Sequence, residues 1–288
     1  MKKINNYEYN STLFLLARPL FLGFGIYQII NQIGSFFWIS IILGIFLGLI
    51  INECSKFLSR FKALKIVISI ILLVYVFYTL TSAISTLYLN KTPKFIILAA
   101  LLLVVIYSRN KNKDTIFKIA NIFFIINITL FFIMTFSLLS QINYQNFELI
   151  TKFSVLKIIN SSVYFALLST LPYLTLPNFK ENYNYKAYLF SSIYTLILFT
   201  LIVGILGIPV ASIYKYPEYI IFKKISILNI FENVQNFLFI SWIFECFILL
   251  GITSNNLSKK TLLILLFTIF ILYTIFITKF NILFVGIY

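Results

Sequence analysis

The sequence predicts an all-α polytopic membrane protein. Of its 288 residues, 61% are hydrophobic and 11% are charged, whereas about a quarter of the residues in soluble globular proteins are charged. Apolar runs of about 20 residues, the length of a helix that crosses a bilayer, recur with short polar breaks between them. The runs are continuously apolar rather than alternating, which excludes a transmembrane β-barrel.

Nine apolar runs are predicted as membrane spans of a single domain, residues 1–288. They cover residues 12–33, 35–51, 64–89, 93–108, 117–140, about 150–176, 187–212, 234–252 and 261–279. The second and fourth runs are short for a crossing, and the third and sixth are long enough to tilt or break.

The distribution of Lys and Arg predicts the orientation. If the spans alternate in direction, one side of the membrane carries the larger group: Lys2, Lys3, Lys56, Arg60, Lys62, Lys65, Arg109, Lys111, Lys113, Lys118, Lys180, Lys186, Lys259 and Lys260. The other side carries Lys91, Lys94, Lys152, Lys157, Lys215, Lys223, Lys224 and Lys279. The richer side is expected to be cytoplasmic, which places the N-terminus inside. Orientation in a membrane explains the net charge of +15 better than nucleic-acid binding, because the charges lie in short loops.

The first span contains two glycines, Gly23 and Gly25, a few residues after Arg18 and Pro19. In several transporter folds a broken first helix exposes backbone N–H and C=O groups to the substrate. The glycines therefore predict a helix break, and the alternative is close helix packing by small residues. Arg18 is expected to extend its charge to the cytoplasmic interface.

The sixth span contains Asn160, Ser161 and Ser162, and later Pro172. These side chains can satisfy backbone groups where a helix unwinds, so a second break is predicted there, with interhelical hydrogen bonding as the alternative. The first and sixth spans are five helices apart, which is where an inverted repeat of five helices would place two broken helices.

Glu245 lies in the middle of the eighth span. An ionised carboxyl group there is costly, so its side chain is expected to face the protein interior. It is interpreted as a residue for ion coupling or for contact with a substrate amine or, alternatively, as a neutral structural residue hydrogen-bonded to a neighbouring helix.

The sequence gives no indication of catalysis. It contains no His, which is the commonest general base, and only two Cys, Cys54 and Cys246, which are interpreted as packing residues. No phosphate-binding loop, catalytic triad or metal-ligand pattern is present. The chain is therefore predicted to be neither an enzyme nor a carrier of a metal or other cofactor.

The segment before the eighth span resembles the B subunit family of spore nutrient-germinant receptors. The resemblance rests on Tyr216-Pro217-Glu218-Tyr219, Lys223-Lys224-Ile225-Ser226-Ile227, Ile230-Phe231-Glu232-Asn233 and Trp242, together with Thr92-Pro93 and Leu171-Pro172-Tyr173. It covers residues 90 to 250. The segment is amphipathic, and it is expected either to lie on the bilayer surface or to pack over an external vestibule as a lid.

The resemblance implies membership of the amino acid–polyamine–cation permease superfamily, with a LeuT-like five-plus-five inverted-repeat fold. It implies a small nutrient such as an amino acid as the ligand, bound near Gly23, Gly25, Asn160, Ser161 and Ser162. It also implies the bacterial inner membrane, or the spore inner membrane of a sporulating host, and two partners: a membrane subunit with a soluble domain, and a lipoprotein. Members of the family usually have ten spans, so this chain is expected to be truncated at its C-terminal end. Asn233 stands where Arg is common.

Two other functions fit the sequence. An amino acid permease would share the fold and would transport its ligand. A structural membrane subunit of a larger complex, such as a proton-translocating dehydrogenase, would need several intramembrane Lys or Glu residues, and the sequence shows essentially Glu245 alone.

The topology is tested by fusing reporters to the loops. Fusions after Lys113 and after Lys260 should report the cytoplasm, and a fusion at Lys224 should report the outside, because Lys and Arg are retained on the cytoplasmic side. A loop at residues 109–118 that reports the outside would contradict this topology.

Overall fold

All regular structure in the described part of the chain is helical. The computed structural model describes residues 5–21, 23–111, 113–148, 153–177, 179–225 and 234–280. The helices are α1 Asn6–Leu16, α2 Phe24–Ile33, α3 Phe37–Leu58, α4 Lys62–Leu87, α5 Lys94–Arg109, α6 Lys113–Leu139, α7 Val155–Thr170, α8 Phe179–Asn182, α9 Tyr185–Ala211, α10 Pro217–Phe222, α11 Val234–Asn255 and α12 Lys259–Phe280. Short 3₁₀ segments cover Gly34–Phe36, Tyr144–Phe147 and Leu171–Thr175.

Six helical stretches of the described residues are long and apolar enough to cross a membrane. They are Phe24–Leu58, Lys62–Leu87, Asp114–Leu139, Val155–Thr175, Tyr185–Ala211 and Gln235–Asn255. The predicted spans 93–108 and 261–279 are also helical but are not among these six. Large apolar side chains such as Phe46, Leu103 and Phe136 are exposed on the outer surface, where lipid would cover them. The prediction of an all-helical, multi-pass membrane protein is confirmed at this level.

The first predicted span is interrupted. Helix α1 ends at Leu16 and α2 begins at Phe24. Gly23 immediately precedes α2 with φ +73° and ψ −110°, a conformation that glycine adopts far more readily than other residues. The predicted break is therefore confirmed at Gly23, whereas Gly25 lies within the first turn of α2.

The predicted break at residues 160–162 is wrong, because α7 is continuous through them. The hydroxyl groups are satisfied without unwinding: Ser162 donates to Ile158 O, four residues earlier, at 2.7 Å, and Ser161 donates to Gln32 Oε1 at 2.8 Å. The helix changes instead at Leu171–Thr175, which is 3₁₀ and has Pro172 in its first turn. A proline is tolerated there because the first turn needs no N–H donor.

Small side chains allow α3 to lie close against α7 and α9. Ser40 Oγ donates to Ile158 O at 3.0 Å. A Cβ atom at Gly44 would lie 2.8 Å from Phe165 Cδ1, and one at Gly48 would lie 1.8 Å from Tyr188 Oη. Small residues spaced four apart permit this close approach between membrane helices.

The loops gather at two opposite ends of the helix array. At the first, here called the Arg109 end, Arg109 Nη2 donates to Leu257 O at 3.1 Å and Tyr9 Oη donates to Pro177 O at 3.1 Å. The second, here called the Glu148 end, contains the 3.1 Å bond from Ser35 Oγ to Glu148 O. Loops are expected to divide in this way if successive spans cross the membrane in alternating directions, which is the assumption used to assign Lys and Arg to the two sides.

The packing of α3 predicts that Gly48→Ala destabilises the protein. The new methyl group would overlap the Tyr188 hydroxyl, and overpacking of this kind costs about 1–3 kcal/mol. We expect a lower Tm for the purified protein in detergent. Gly251→Ala is the matched control, since its Cβ would meet only the end of the flexible Ile116 side chain, at 3.1 Å. Equal Tm changes in the two variants would contradict this account of the packing.

Candidate functional site

A small cavity lies beside the interruption of the first helix. Five parts of the chain line it, through Arg18, Phe21, Asn127, Tyr194, Thr195, Leu198, Glu218, Phe222, Leu238, Phe239, Trp242 and Glu245. It leaves about 30 Å³ for the centres of water-sized molecules, and one water needs about 10–15 Å³ on this measure. The cavity therefore has room for a few water molecules, and its walls must move to admit a larger solute.

Arg18 and Glu245 form a buried ion pair in this cavity. Arg18 Nη2 donates to Glu245 Oε1, and the two residues are 4% and 2% exposed. The guanidinium group also lies 4.1 Å from the ring centroid of Tyr194 and 4.7 Å from that of Phe14, a favourable cation–π arrangement. The inward orientation predicted for Glu245 is confirmed. The expectation that Arg18 reaches the membrane interface is wrong, because its partner lies inside.

The backbone of the interruption is held by side chains from two other helices. Trp242 Nε1, on α11, donates to Pro19 O at 3.2 Å, and Tyr75 Oη, on α4, donates to Leu20 O at 3.1 Å. Buried carbonyl groups that leave a helix need such donors, because no water replaces them inside a bilayer. These hydrogen bonds hold the interruption in place, and the interruption in turn fixes the position of Arg18.

Glu218 approaches the interruption from α10. Its Oε1 accepts a hydrogen bond from Gly23 N, at the start of α2, where a negative charge is favoured by the helix dipole. The residue is 1% exposed. Burial raises the pKa of Glu218 from 4.5 to about 8, although hydrogen bonds from the N–H groups of Glu218 itself and of Gly23 act in the opposite direction. Tyr216 packs against the same glycine, because a Cβ at Gly23 would lie 2.6 Å from the Tyr216 ring.

Three buried polar atoms of the cavity residues have no hydrogen-bond partner among the described residues. They are Arg18 Nε, Glu218 Oε2 and Glu245 Oε2. Buried polar groups are nearly always paired in native proteins, so an unpaired group calls for an explanation. Together these atoms offer one donor and two acceptors to a small polar solute.

The five residues that the resemblance suggested for the ligand do not come together. Gly23 lies at the rim of the cavity, against α10. Gly25 packs against the backbone of the interruption and against α7. Asn160 is exposed, and Ser161 and Ser162 are hydrogen-bonded to the side chains of α2 and α3. Their role in ligand binding stays a prediction, and of the five only Gly23 adjoins the cavity.

Of the two arrangements expected for the segment before α11, its described part fits the one in which the segment packs over a vestibule as a lid. Helix α10 packs between α9 and α11, and Glu218 and Phe222 of this helix line the cavity. Most of its residues are buried, so this part does not lie on a bilayer surface. Residues 226–233, which include much of the amphipathic pattern, lie outside the described residues.

Sequence reasoning did not find the ion pair, although a signal was present. Arg18 and Glu245 are each the one charged residue of a predicted span. Two single opposite charges in different spans are expected to pair, because each is costly alone in a membrane. The burial of Glu218 had no comparable signal, since it lies between spans.

The comparisons with known proteins do not identify the chain. No protein-family model matches the sequence, and no characterised protein gives a significant match.

Proposed function

We propose that the protein binds a small charged nutrient, such as an amino acid, in the cavity beside the interrupted first helix. The observation that supports this most directly is the set of ionisable groups buried there: Arg18, Glu218 and Glu245, each with an unpaired polar atom. A membrane protein without a polar ligand gains little from this arrangement, because buried charges are costly. An amino acid carries both signs of charge and complements both kinds of group.

The packing at the two ends of the cavity supports entry from the Glu148 end. Towards the Arg109 end, α1 is bonded to its neighbours: Tyr173 Oη donates to Leu13 O at 2.9 Å, and Ser191 Oγ donates to Phe14 O at 2.8 Å. On the other side the cavity is covered by α10, a helix of only six residues. A movement of α10 would break the Glu218–Gly23 contact and widen the cavity.

The wider role that we propose for the protein is the one implied by the family resemblance. The chain would be the membrane subunit of a spore nutrient-germinant receptor, with nine spans in a LeuT-like five-plus-five arrangement and a cytoplasmic N-terminus. It would lie in the bacterial inner membrane, together with a membrane subunit that has a soluble domain and with a lipoprotein. Ligand binding would then trigger germination.

An amino acid permease is the second candidate, because the interrupted helix and the charged cavity suit transport as well as sensing. The two functions differ in whether the bound solute crosses the membrane. A structural subunit of a larger complex is the third candidate, and it predicts no response to small nutrients.

Ligand binding is tested with the purified chain in lipid nanodiscs, by screening the common amino acids one at a time for an increase in Tm. We expect at least one to stabilise the protein. Leu198→Phe should abolish that stabilisation, because Leu198 lines the cavity and the larger ring would fill it. Leu263→Phe is the control, since Leu263 is exposed on α12. If no amino acid raises Tm, or if Leu198→Phe responds like the wild type, the binding proposal is wrong.

Uptake of the stabilising amino acid into proteoliposomes separates the first two candidates. A receptor subunit is expected to bind without net accumulation inside the vesicles. Saturable accumulation that Leu198→Phe abolishes would favour the permease.

A further inference from the structure

The charges that line the cavity do not balance. Among the described residues that line it, the carboxyl and guanidinium groups are those of Arg18, Glu218 and Glu245, and Tyr194 adds a phenol that is neutral at ordinary pH. Arg18 is paired with Glu245, whereas the hydrogen bonds to the Glu218 carboxyl group come from neutral backbone N–H groups. With all three ionised, the cavity carries one excess negative charge. An uncompensated buried charge costs several kcal/mol, so a compensating positive charge is required.

In the part of the chain that the structure describes, no other group around α10 supplies that charge. The remaining titratable groups near this helix are Tyr88, Tyr194, Lys215, Tyr216, Tyr219, Lys223 and Lys224. The tyrosines are neutral or acidic and never cationic. Lys215 donates to Ser82 Oγ at 2.7 Å, Lys223 and Lys224 are exposed, and none of the three lysines lines the cavity.

Two carboxylate oxygens are free to receive a cation. Glu218 Oε2 and Glu245 Oε2 are both buried and have no partner among the described residues. They belong to α10 and α11, which pack against each other. The cavity that both residues line has room for a few water molecules. This volume suits a proton, or a small ion together with a water molecule, but it is too small for a larger ion.

We propose that the cavity contains a binding site for one monovalent cation, held by the unpaired carboxylate oxygens of Glu218 and Glu245. The cation is either a proton or a small ion such as Na⁺, and both provide the single positive charge that the cavity needs. The site lies in the cavity of the proposed function, but it does not require a nutrient. Its test uses inorganic ions alone, so the two proposals can fail independently.

The pKa of Glu218 predicts how the proton and the metal ion compete. Burial raises the pKa of this carboxyl group in the folded protein from its ordinary value of 4.5 to about 8. Between these two pH values the folded state holds a proton that the unfolded state has lost, so stability falls as the pH rises through this window. Na⁺ should stabilise the protein above about pH 8, where the proton has left.

Trp242 provides a reporter inside the cavity. The chain has two Trp residues: Trp242 lines the cavity, and Trp38 is exposed on α3. Trp38→Phe therefore leaves a single fluorophore at the site. The full chain in nanodiscs is titrated with NaCl at constant ionic strength, with choline chloride as the replacement salt, at pH values below and above 8. Trp242 fluorescence and Tm are recorded in each titration.

We expect Tm to fall between pH 4.5 and 8, and Na⁺ to change the fluorescence saturably at the higher pH. Below about pH 8, the half-saturating Na⁺ concentration should rise about tenfold for each unit by which the pH falls, because a proton competes for the same site. A pH response without a Na⁺ response would identify the proton as the cation. A Na⁺ response that disappears at low pH would identify both.

Glu218→Gln decides the proposal, because it removes the excess negative charge with little change of shape. We expect this variant to lose the Glu218 part of the pH dependence and the Na⁺ response. Glu245→Gln also brings the charge sum to zero and should lose the Na⁺ response. Glu53→Gln is the control, since Glu53 lies on the surface beside Lys56. A wild type that is insensitive to both pH and Na⁺ would overturn the proposal, as would a Glu218→Gln variant that keeps the wild-type response.

Discussion

The ion pair between Arg18 and Glu245 is the constraint on which the centre of this protein depends. A charged side chain in the middle of a membrane costs about 2.5–3.5 kcal/mol even on scales derived from insertion. Two such charges in separate spans can reduce that cost only by meeting. The interruption of the first helix and α11 must therefore lie side by side, and the neighbouring helices pack around this contact. The pair thus determines where the cavity forms as well as what lines it.

The interruption requires as much support as the charges do. A helix that stops inside a membrane leaves backbone N–H and C=O groups without partners, and each must be satisfied by protein. Trp242 and Tyr75 donate to two of the carbonyl groups, and Glu218 accepts from Gly23 N. The donors and the acceptor belong to α11, α4 and α10, and two of these helices, α10 and α11, also line the cavity. The support of the interruption and the proposed binding site therefore share α10 and α11.

The sequence predicts the helices well because an apolar run long enough to cross a bilayer has almost no alternative to a helix. Gly23 marked the interruption because a positive φ there favours glycine. The prediction of a break at Asn160, Ser161 and Ser162 was wrong because short polar side chains occur in a continuous helix as well as beside an unwound one, and a Ser hydroxyl can bond within the helix. The position of Arg18 depended on a partner more than 200 residues away along the chain. The burial of Glu218 depended on how a six-residue helix docks, which no periodicity encodes.

The central claim is tested most directly by a double-mutant cycle on the ion pair. Arg18→Met and Glu245→Met are made singly and together, and the stability of each variant in detergent is measured. Each single change leaves a buried charge without its partner, which typically costs about 3–5 kcal/mol, whereas replacing both residues by apolar ones is often nearly neutral. We expect the larger loss for Arg18→Met, because Glu245→Met leaves Arg18 in the same cavity as Glu218. The double variant should be more stable than either single variant. If its loss of stability equals the sum of the two single losses, the two charges do not depend on each other and the account is wrong.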